Sequence, residues 1–282
     1  MANPRSVVRV ARPAPARHGS YFEALRIGGE IFGREADPWL NLDHFRMAGP
    51  TFPPHPHAGF SAVTYVLPES PGAMANRDSR GDRSVIGPGA VHWTAAGSGI
   101  VHEEIPAIEG TITEGFQIFI RQPVEQESLP ADISHVDAAA VPVIALPAGG
   151  AARVVAGGDA PFATPSPLTM LDVTLAEGER FDWTPPAGHS SLALYLFEGA
   201  IAIDGLADDV TAPAVAVFAR GEGGLGLKVI DGAARLLVMA GVPLDVPSVT
   251  NGPFVLSSPA AIEAAVGRYR AGAMGRLPAD WD

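Results

Sequence analysis

The sequence predicts an all-β fold built from two β-barrels, with a short helix near the C-terminus. Three observations predict it: the apolar stretches have the length of strands, glycine and proline separate them, and long helical periodicity is scarce. The 32 glycines and 27 prolines are spread along the 282 residues rather than gathered in tracts. Many short strands without alternating helices are typical of a β-sandwich or a β-barrel.

The apolar stretches between these breakers are the predicted strands. They are rich in Val, Leu, Ile and aromatic residues, as strands are. They cover residues 62–67, 115–120, 168–175, 192–197, 214–218 and 236–240.

One helix is predicted near the C-terminus, over Pro259–Arg270. Ser258 is placed to cap it, and Pro259 suits the first helical position. At helical spacing Ile262, Val266 and Tyr269 share one face.

Two halves are indicated by a weak internal repeat and by a change in composition. The apolar segment around Tyr65 is similar to the segment around Tyr195, and residues 138–158 are rich in Ala, Gly, Pro and Val. A repeat of this size indicates duplicated domains rather than a solenoid. We therefore expect an N-terminal barrel over residues 1–137 and a C-terminal barrel over residues 138–282.

The composition excludes several classes of function. The formal net charge is −12, so the chain lacks the basic stripe that direct nucleic-acid binding needs. The absence of cysteine excludes disulfides, thiolate metal sites and thiol nucleophiles. No apolar run approaches the about 20 residues of a membrane span, and we expect a cytoplasmic protein without a secretion signal.

The strongest chemical signal is a pair of short motifs. One is His55-Pro56-His57, and the other places His102 two residues before Glu104. On a strand, residues i and i+2 point to the same side. If both strands face one barrel interior, three imidazoles and a carboxylate converge, a ligand set that suits iron, manganese, cobalt, nickel, copper or zinc.

The same alternation distinguishes two neighbouring carboxylates. Glu104 shares a face with His102, whereas Glu103 is expected to point to solvent or to an interface. A β-bulge would reverse this assignment. From spacing alone, a metal site and ordinary exposed loop histidines both remain open.

The other histidines are not predicted to bind the metal directly. We expect His92 at the barrel mouth or beside a metal ligand, where it would hydrogen-bond that ligand. His44 is expected to pack in the N-terminal sheet, and His18 and His135 to lie on the surface. His189 stands alone in the second half.

The second half is predicted to lack metal ligands. Aligning the two halves on the repeat places residues that do not bind metals where the histidines and the glutamate stand. These residues are Pro185, Ala187, Leu227 and Val229, or Lys228 and Ile230 in the shifted register.

The motifs resemble the pirin family, whose members consist of two cupin barrels. The resemblance rests on H-P-H-A-G-F at residues 55–60 and on T-A-A-G-S-G-I-V-H-E-E at residues 94–104. Weaker matches at residues 37–45, 241–244 and 251–255 extend it over nearly the whole chain. One departure is Ser61, where many pirins carry a glutamate, and it leaves pocket polarity and substrate preference open.

The resemblance implies a mononuclear iron in the N-terminal barrel. The matching ligands in this sequence are His55, His57, His102 and Glu104. The resemblance favours iron over the alternatives Mn, Co, Ni, Cu and Zn, which the ligand set alone leaves open.

An enzymatic function is implied because several pirin-like proteins resemble quercetin 2,3-dioxygenases in activity. The partners would then be O2 and a small aromatic substrate, a flavonol such as quercetin, and Glu104 would be the catalytic base. Candidates to line the substrate pocket are Phe60, His92, Trp93 and Phe116, although each could equally be barrel packing.

Two alternatives come from other classes. The first is a regulator without catalytic activity, whose metal-containing domain binds a protein partner in a redox-dependent manner. The second is a storage or scaffold cupin with an adventitious metal. Turnover of a flavonol would distinguish an enzyme from both of these non-catalytic alternatives.

Overall fold

The structure of the protein, a computed structural model, describes residues 4–278 and Trp281. Strands account for most of its regular structure, which confirms the all-β fold class. No helix in this described part is both long and apolar enough to cross a membrane.

Twelve strands precede residue 140. They are β1 (Val7–Ala11), β2 (Ala14–His18), β3 (Phe22–Ile27), β4 (Trp39–Met47), β5 (His55–His57), β6 (Phe60–Val66), β7 (Met74–Asp78), β8 (Val85–Ile86), β9 (Val91–Ala95), β10 (Ile100–Pro106), β11 (Thr113–Arg121) and β12 (Asp132–Val136).

Ten strands follow. They are β13 (Val143–Ala145), β14 (Ala151–Ala156), β15 (Leu168–Leu175), β16 (Arg180–Trp183), β17 (Ser191–Ile203), β18 (Val210–Thr211), β19 (Ala214–Phe218), β20 (Leu225–Gly241), β21 (Val249–Asn251) and β22 (Phe254–Leu256). The two α-helices are α1 (Gly29–Phe32) and α2 (Pro259–Arg270).

The predicted strands are all present, and two of them, β15 and β19, have the predicted bounds. The largest differences are β17 and β20, which continue well beyond their apolar segments. Gly199 lies inside β17 with a φ of 82°, where the pairing with β20 shifts register. A β-bulge bends a strand without ending it. The prediction therefore wrongly ended this strand before Gly199.

Helix α2 confirms the predicted bounds and cap. The side chain of Ser258 accepts a hydrogen bond from the backbone N–H of Ala261. The buried face is narrower than expected, because Ile262 and Ala265 are buried while Tyr269 is 42% exposed.

The chain divides into two compact units. The first barrel comprises residues 15–26, residues 39–140 and the segment from Leu244 onward. The second barrel comprises the chain up to Ala14, residues 27–38 and residues 141–243. The middle of the chain changes unit between Ala140 and Val141, close to the expected division at residues 137 and 138. The ends differ from that expectation, because strand pairing places each terminal segment in the barrel formed by the other half.

The first barrel contains a four-stranded and a seven-stranded sheet. Their strand orders are β5-β10-β7-β8 and β12-β9-β6-β11-β4-β3-β2. The C-terminal hairpin of β21 and β22 approaches the same unit, where the N–H of Val255 donates to the carbonyl of Ala58. A Cβ atom at Gly59, which has a φ of 84°, would collide with the Val255 carbonyl, so glycine is required there.

The second barrel is built on one nine-stranded sheet with the path β1-β19-β17-β20-β15-β14-β13, and off this path β16 pairs with β20 and β18 with β17. Strand β17, which carries Tyr195, lies between β19 and β20. Strand β6, which carries Tyr65, lies likewise between β9 and β11 in the first barrel. The equivalent neighbours of these two strands support the internal repeat.

The interior of the second barrel is apolar where the first barrel carries its histidines. Leu227 and Val229 are fully buried in a hydrophobic cluster, and Leu227 is paired with Phe181 across β16 and β20. Lys228 and Ile230, the alternative register, are exposed. At the positions of Leu227 and Val229 the second barrel is therefore packed with apolar side chains, whereas Ala187, a further aligned position, is exposed.

Candidate metal centre

Three histidines converge inside the first barrel. His55 and His57 lie on β5, and His102 lies directly opposite His55 on β10. One ring nitrogen from each lies within 4.8 Å of the others, and the ring centroids are 4.7–4.8 Å apart. The two-residue alternation of a strand and the pairing of β5 with β10 produce this arrangement, as the sequence predicted.

The environment keeps these imidazoles neutral. Burial, followed by the neighbouring His55, lowers the pKa of His57 to about 3. Burial also lowers the pKa of His102 well below its ordinary value, and it lowers that of His55. A neutral imidazole has a lone pair for a metal, so the cluster is in its binding form at neutral pH.

The tautomer of His55 is set by its surroundings. Its Nδ1 lies 2.9 Å from the carbonyl oxygen of Pro53. Because a carbonyl only accepts, the proton lies on Nδ1 and leaves the lone pair on Nε2. This is the usual way in which a backbone carbonyl orients a metal-binding histidine.

Glu104 lies in the same barrel interior and lines the same cavity as the histidines. Both of its carboxylate oxygens lie 2.8 Å from Oγ1 of Thr64. Burial raises the pKa of Glu104 to about 7, and the hydrogen bond from Thr64 opposes this shift. Within the described residues, the group of mutually close ligand atoms contains the three histidines and leaves Glu104 outside it. The role of Glu104 as a ligand therefore stays a prediction.

The donor set fits a first-row divalent cation. Three neutral imidazoles with a carboxylate nearby suit iron, manganese, cobalt, nickel, copper or zinc, whereas magnesium and calcium prefer oxygen ligands. The cluster can therefore hold a metal ion, and its position inside a cavity leaves room for a substrate beside it.

The cavity next to the histidines has a volume of about 170 Å³ and is mainly apolar. Its polar side chains, apart from the histidines and Glu104, are Arg26, Asp43 and Gln117, and Arg26 donates to both carboxylate oxygens of Asp43 at 2.8 and 2.7 Å. Its apolar wall is formed by Phe22, Phe45, Phe52, Phe119, Met47 and Met74.

The four residues expected to line a substrate pocket do not line this cavity. Phe60 is buried beneath the site, with its ring 5.0 Å from that of His57. Phe116 lies on the other face of β11, where it packs against Tyr65 and His44. Trp93 is buried too, and it alternates with its neighbour His92 along β9.

His92 is buried on the interior side of β9, opposite Thr64. Its burial differs from the expected place at the barrel mouth, neither of its ring nitrogens has a hydrogen-bond partner among the described residues, and it does not border the cavity. Sequence reasoning missed the whole apolar wall of this cavity, and Phe119 is the wall residue for which the sequence held a signal. A usable signal was Gln117, a polar residue in an apolar strand and two positions from Phe119, which marks the face of β11 that meets the site.

Glu103 corrects a second expectation. It was expected to face solvent or an interface, but it is buried and paired with Arg77, with Nη2 of Arg77 2.7 Å from the carboxylate. The outer face of β10 is covered by the C-terminal segment, in which Trp281 stacks on the Arg77 guanidinium at 4.7 Å. Val101 on that face packs against Ile262 and its neighbours.

The remaining histidines lie away from the cluster. His44 packs on Phe116, as expected, and its Nε2 lies 3.3 Å from Glu114. His18 is exposed, whereas His135 is only partly so. His189 is buried in the second barrel.

Two protein-family models match this chain. The family model described as Pirin matches residues 29–120, and the model described as Pirin C-terminal cupin domain matches residues 170–275. A pirin-like protein from Solanum lycopersicum is 34% identical over 286 residues, covering 97% of this chain and 94% of its own length.

Solved structures with the same fold include two of particular interest. A quercetin 2,3-dioxygenase from Acinetobacter baumannii is similar, with a TM-score of 0.86 and 27% identity, covering 98% of this chain and 100% of its own. A bacterial pirin from Escherichia coli in complex with nickel(II) has a TM-score of 0.66 and 17% identity, covering 83% of this chain and 100% of its own. The second likeness concerns the fold alone.

Proposed function

Since this chain belongs to the pirin family of two-domain cupin proteins, we propose that it is a metal-dependent dioxygenase that cleaves a flavonol such as quercetin. One observation carries the proposal: three neutral imidazoles converge beside a cavity walled by phenylalanine and methionine side chains. The similarity to a quercetin 2,3-dioxygenase structure supports the same substrate class.

The proposed ligands are His55, His57, His102 and Glu104. A bound iron, the metal we favour, would supply the electronic means to bring a flavonol anion and dioxygen together. Nickel is a competing choice because a related fold from Escherichia coli binds it. Manganese, cobalt, copper and zinc suit the same donors.

The residues of the chain have separate tasks in this proposal. The three histidines hold the metal, and the apolar wall excludes water from a planar aromatic substrate. The carboxylate of Glu104 takes the proton of the substrate hydroxyl at one of its oxygens. Phe119 contributes a ring to the wall on the same strand face as Gln117.

The experiment is oxygen-dependent loss of quercetin by the full chain reconstituted separately with Fe2+, Mn2+, Co2+, Ni2+, Cu2+ and Zn2+. His57→Ala and Glu104→Gln are compared with the surface variant Glu177→Gln, which makes the same substitution as the second of them at an exposed position of the second barrel. We expect turnover in the parent and in Glu177→Gln, and none in the other two.

Absence of turnover in a protein that holds one metal ion per chain would overturn the dioxygenase proposal. Function would then be sought in a regulator that binds a protein partner according to the redox state of its metal. Binding assays with oxidised and reduced protein distinguish that case.

A further inference from the structure

We propose that Thr64, supported by Gln117, is the positioning residue that fixes where the Glu104 carboxylate lies, and thereby how well the centre holds a metal. This inference rests on the proposed function, because it concerns the same site. Thr64 and Gln117 lie on other strands than the proposed ligands, and their own side chains are not proposed to bind the metal.

The contact crosses the interior of the barrel. Glu104 lies on β10 of the four-stranded sheet, and Thr64 lies on β6 of the seven-stranded sheet. The Thr64 hydroxyl is 2.8 Å from each carboxylate oxygen, and both side chains are buried. Since water does not compete there, a hydrogen bond to a charged carboxylate is strong.

A proton count assigns the direction of these hydrogen bonds. The Thr64 hydroxyl has one proton, yet it is surrounded by both oxygens of Glu104 and by Oε1 of Gln117 at 2.9 Å. The ionised carboxylate, which is the form that binds a cation, and an amide oxygen both only accept. Rotating the Gln117 amide by half a turn places its N–H2 group toward Thr64, a choice that hydrogen-bond networks decide. Gln117 then donates to Thr64, and Thr64 donates to Glu104.

The side chains that would hold Thr64 in place come from its two neighbouring strands. Gln117 on β11 and His92 on β9 are its direct partners in register. Thr64 is also β-branched, so its χ1 angle is restricted. The hydroxyl therefore remains fixed while the longer Glu104 side chain adjusts around it.

The consequence concerns the approach of Glu104 to the histidines. The hydroxyl holds the carboxylate in the cavity that the three histidines also line, so that Glu104 approaches a bound cation from a fixed position. A carboxylate that a hydroxyl orients loses less side-chain freedom when it binds a cation, and loss of such a supporting group costs about 10–100-fold in metal affinity.

The test measures metal affinity and the electronic environment of the metal, not turnover. Parent, Thr64→Val and Thr64→Ser are compared as full chains, with Ni2+ affinity measured by competition with a chelator. The same proteins loaded with Cu2+ are compared by electron paramagnetic resonance. Valine keeps the shape and removes the hydroxyl, whereas serine retains the hydroxyl.

We expect Thr64→Val to weaken Ni2+ binding about 10–100-fold and to change the Cu2+ spectrum, with Thr64→Ser restoring both. Gln117→Leu shifts affinity in the same direction by a smaller factor, and provides the second variant if Thr64→Val does not fold. Circular dichroism verifies folding of each.

Parent-like affinity and a parent-like spectrum in folded Thr64→Val would overturn the inference. Equal loss in Thr64→Val and Thr64→Ser would also overturn it, because packing rather than the hydroxyl would then be responsible. A parent that binds Ni2+ but does not consume quercetin refutes the dioxygenase proposal alone. A parent that binds none of the tested metals refutes both.

Discussion

Arg77 and Glu103 form a buried ion pair on the outer side of the strand that carries two proposed metal ligands. Nη2 and Nε of Arg77 lie 2.7 and 2.8 Å from one carboxylate oxygen of Glu103, and the two residues are direct partners across β7 and β10. Glu103 lies between His102 and Glu104, so this pair fixes the segment from the side opposite the cavity.

Arg77→Met is expected to destabilise the protein by about 3–5 kcal/mol, because it leaves the Glu103 carboxylate buried without its cation. The measurement is the free energy of unfolding in urea. Glu23→Gln is the control, since it removes an exposed ion pair with Arg17 and should cost less than about 1 kcal/mol. Equal effects of the two variants would contradict the prediction.

His57→Ala and His102→Ala each remove a proposed metal ligand. Loss of a group that only supports a ligand typically weakens metal binding about 10–100-fold, and we expect a larger loss of affinity in these two variants. Metal content after dialysis, measured by mass spectrometry, tests this. His18→Ala should keep the parent content because His18 is exposed and outside the cluster. Retention of metal by both cluster variants would place the metal elsewhere.

Phe119→Leu is expected to raise KM for quercetin about tenfold, equivalent to about 1.4 kcal/mol, because it removes an aromatic ring from the cavity wall. Phe116→Leu is the matched control on the same strand but the opposite face. Steady-state kinetics under constant oxygen distinguish them. A larger effect of Phe116→Leu would show that the substrate binds elsewhere.

Leu227→Ala is expected to cost about 2–5 kcal/mol of stability while leaving metal content unchanged. Leu227 is fully buried in the apolar core of the second barrel, at the position aligned with His102, a proposed metal ligand of the first barrel. Thermal unfolding and metal analysis of the same sample test both parts. Loss of metal from folded Leu227→Ala would disprove the separation of roles.

Ser258→Ala is expected to destabilise the protein by about 1 kcal/mol, because the N–H of Ala261 loses its capping acceptor. Ser258→Asp retains an acceptor and should remain near the parent. Urea unfolding followed by circular dichroism provides the comparison. A parent-like alanine variant would mean that water replaces the cap without cost.

The elements that the sequence predicted well depend on local rules. The shared face of His55 and His57 follows from the two-residue period of a strand, and α2 follows from the cap at Ser258 and the proline after it. In both cases the deciding residues are close together in the chain, whereas the meeting of these two histidines with His102 also needs the pairing of β5 with β10.

The features that could not be predicted depend on distant packing. Gln117 marks the polar face of β11, which Phe119 shares, but that this face meets the cavity is set by the pairing of β11 with β6 and β4. Glu103 has the sequence pattern of an outward-facing residue. It is instead buried and paired with Arg77, whose guanidinium stacks on Trp281, a residue far along the chain.

The exchange of terminal segments between the barrels also determines when each can be completed during synthesis. The strand that hydrogen-bonds Ala58, containing Val255, is made long after His55 and His57. Strand β1 finds its partner β19 only after more than two hundred further residues have been made. Domains usually fold in the order of their synthesis. This chain departs from that order because each barrel includes a segment from the opposite end of the sequence. Each barrel is completed only when residues far along the chain have been made. A chain whose synthesis ends after Pro243 would therefore have a first barrel without its final strands.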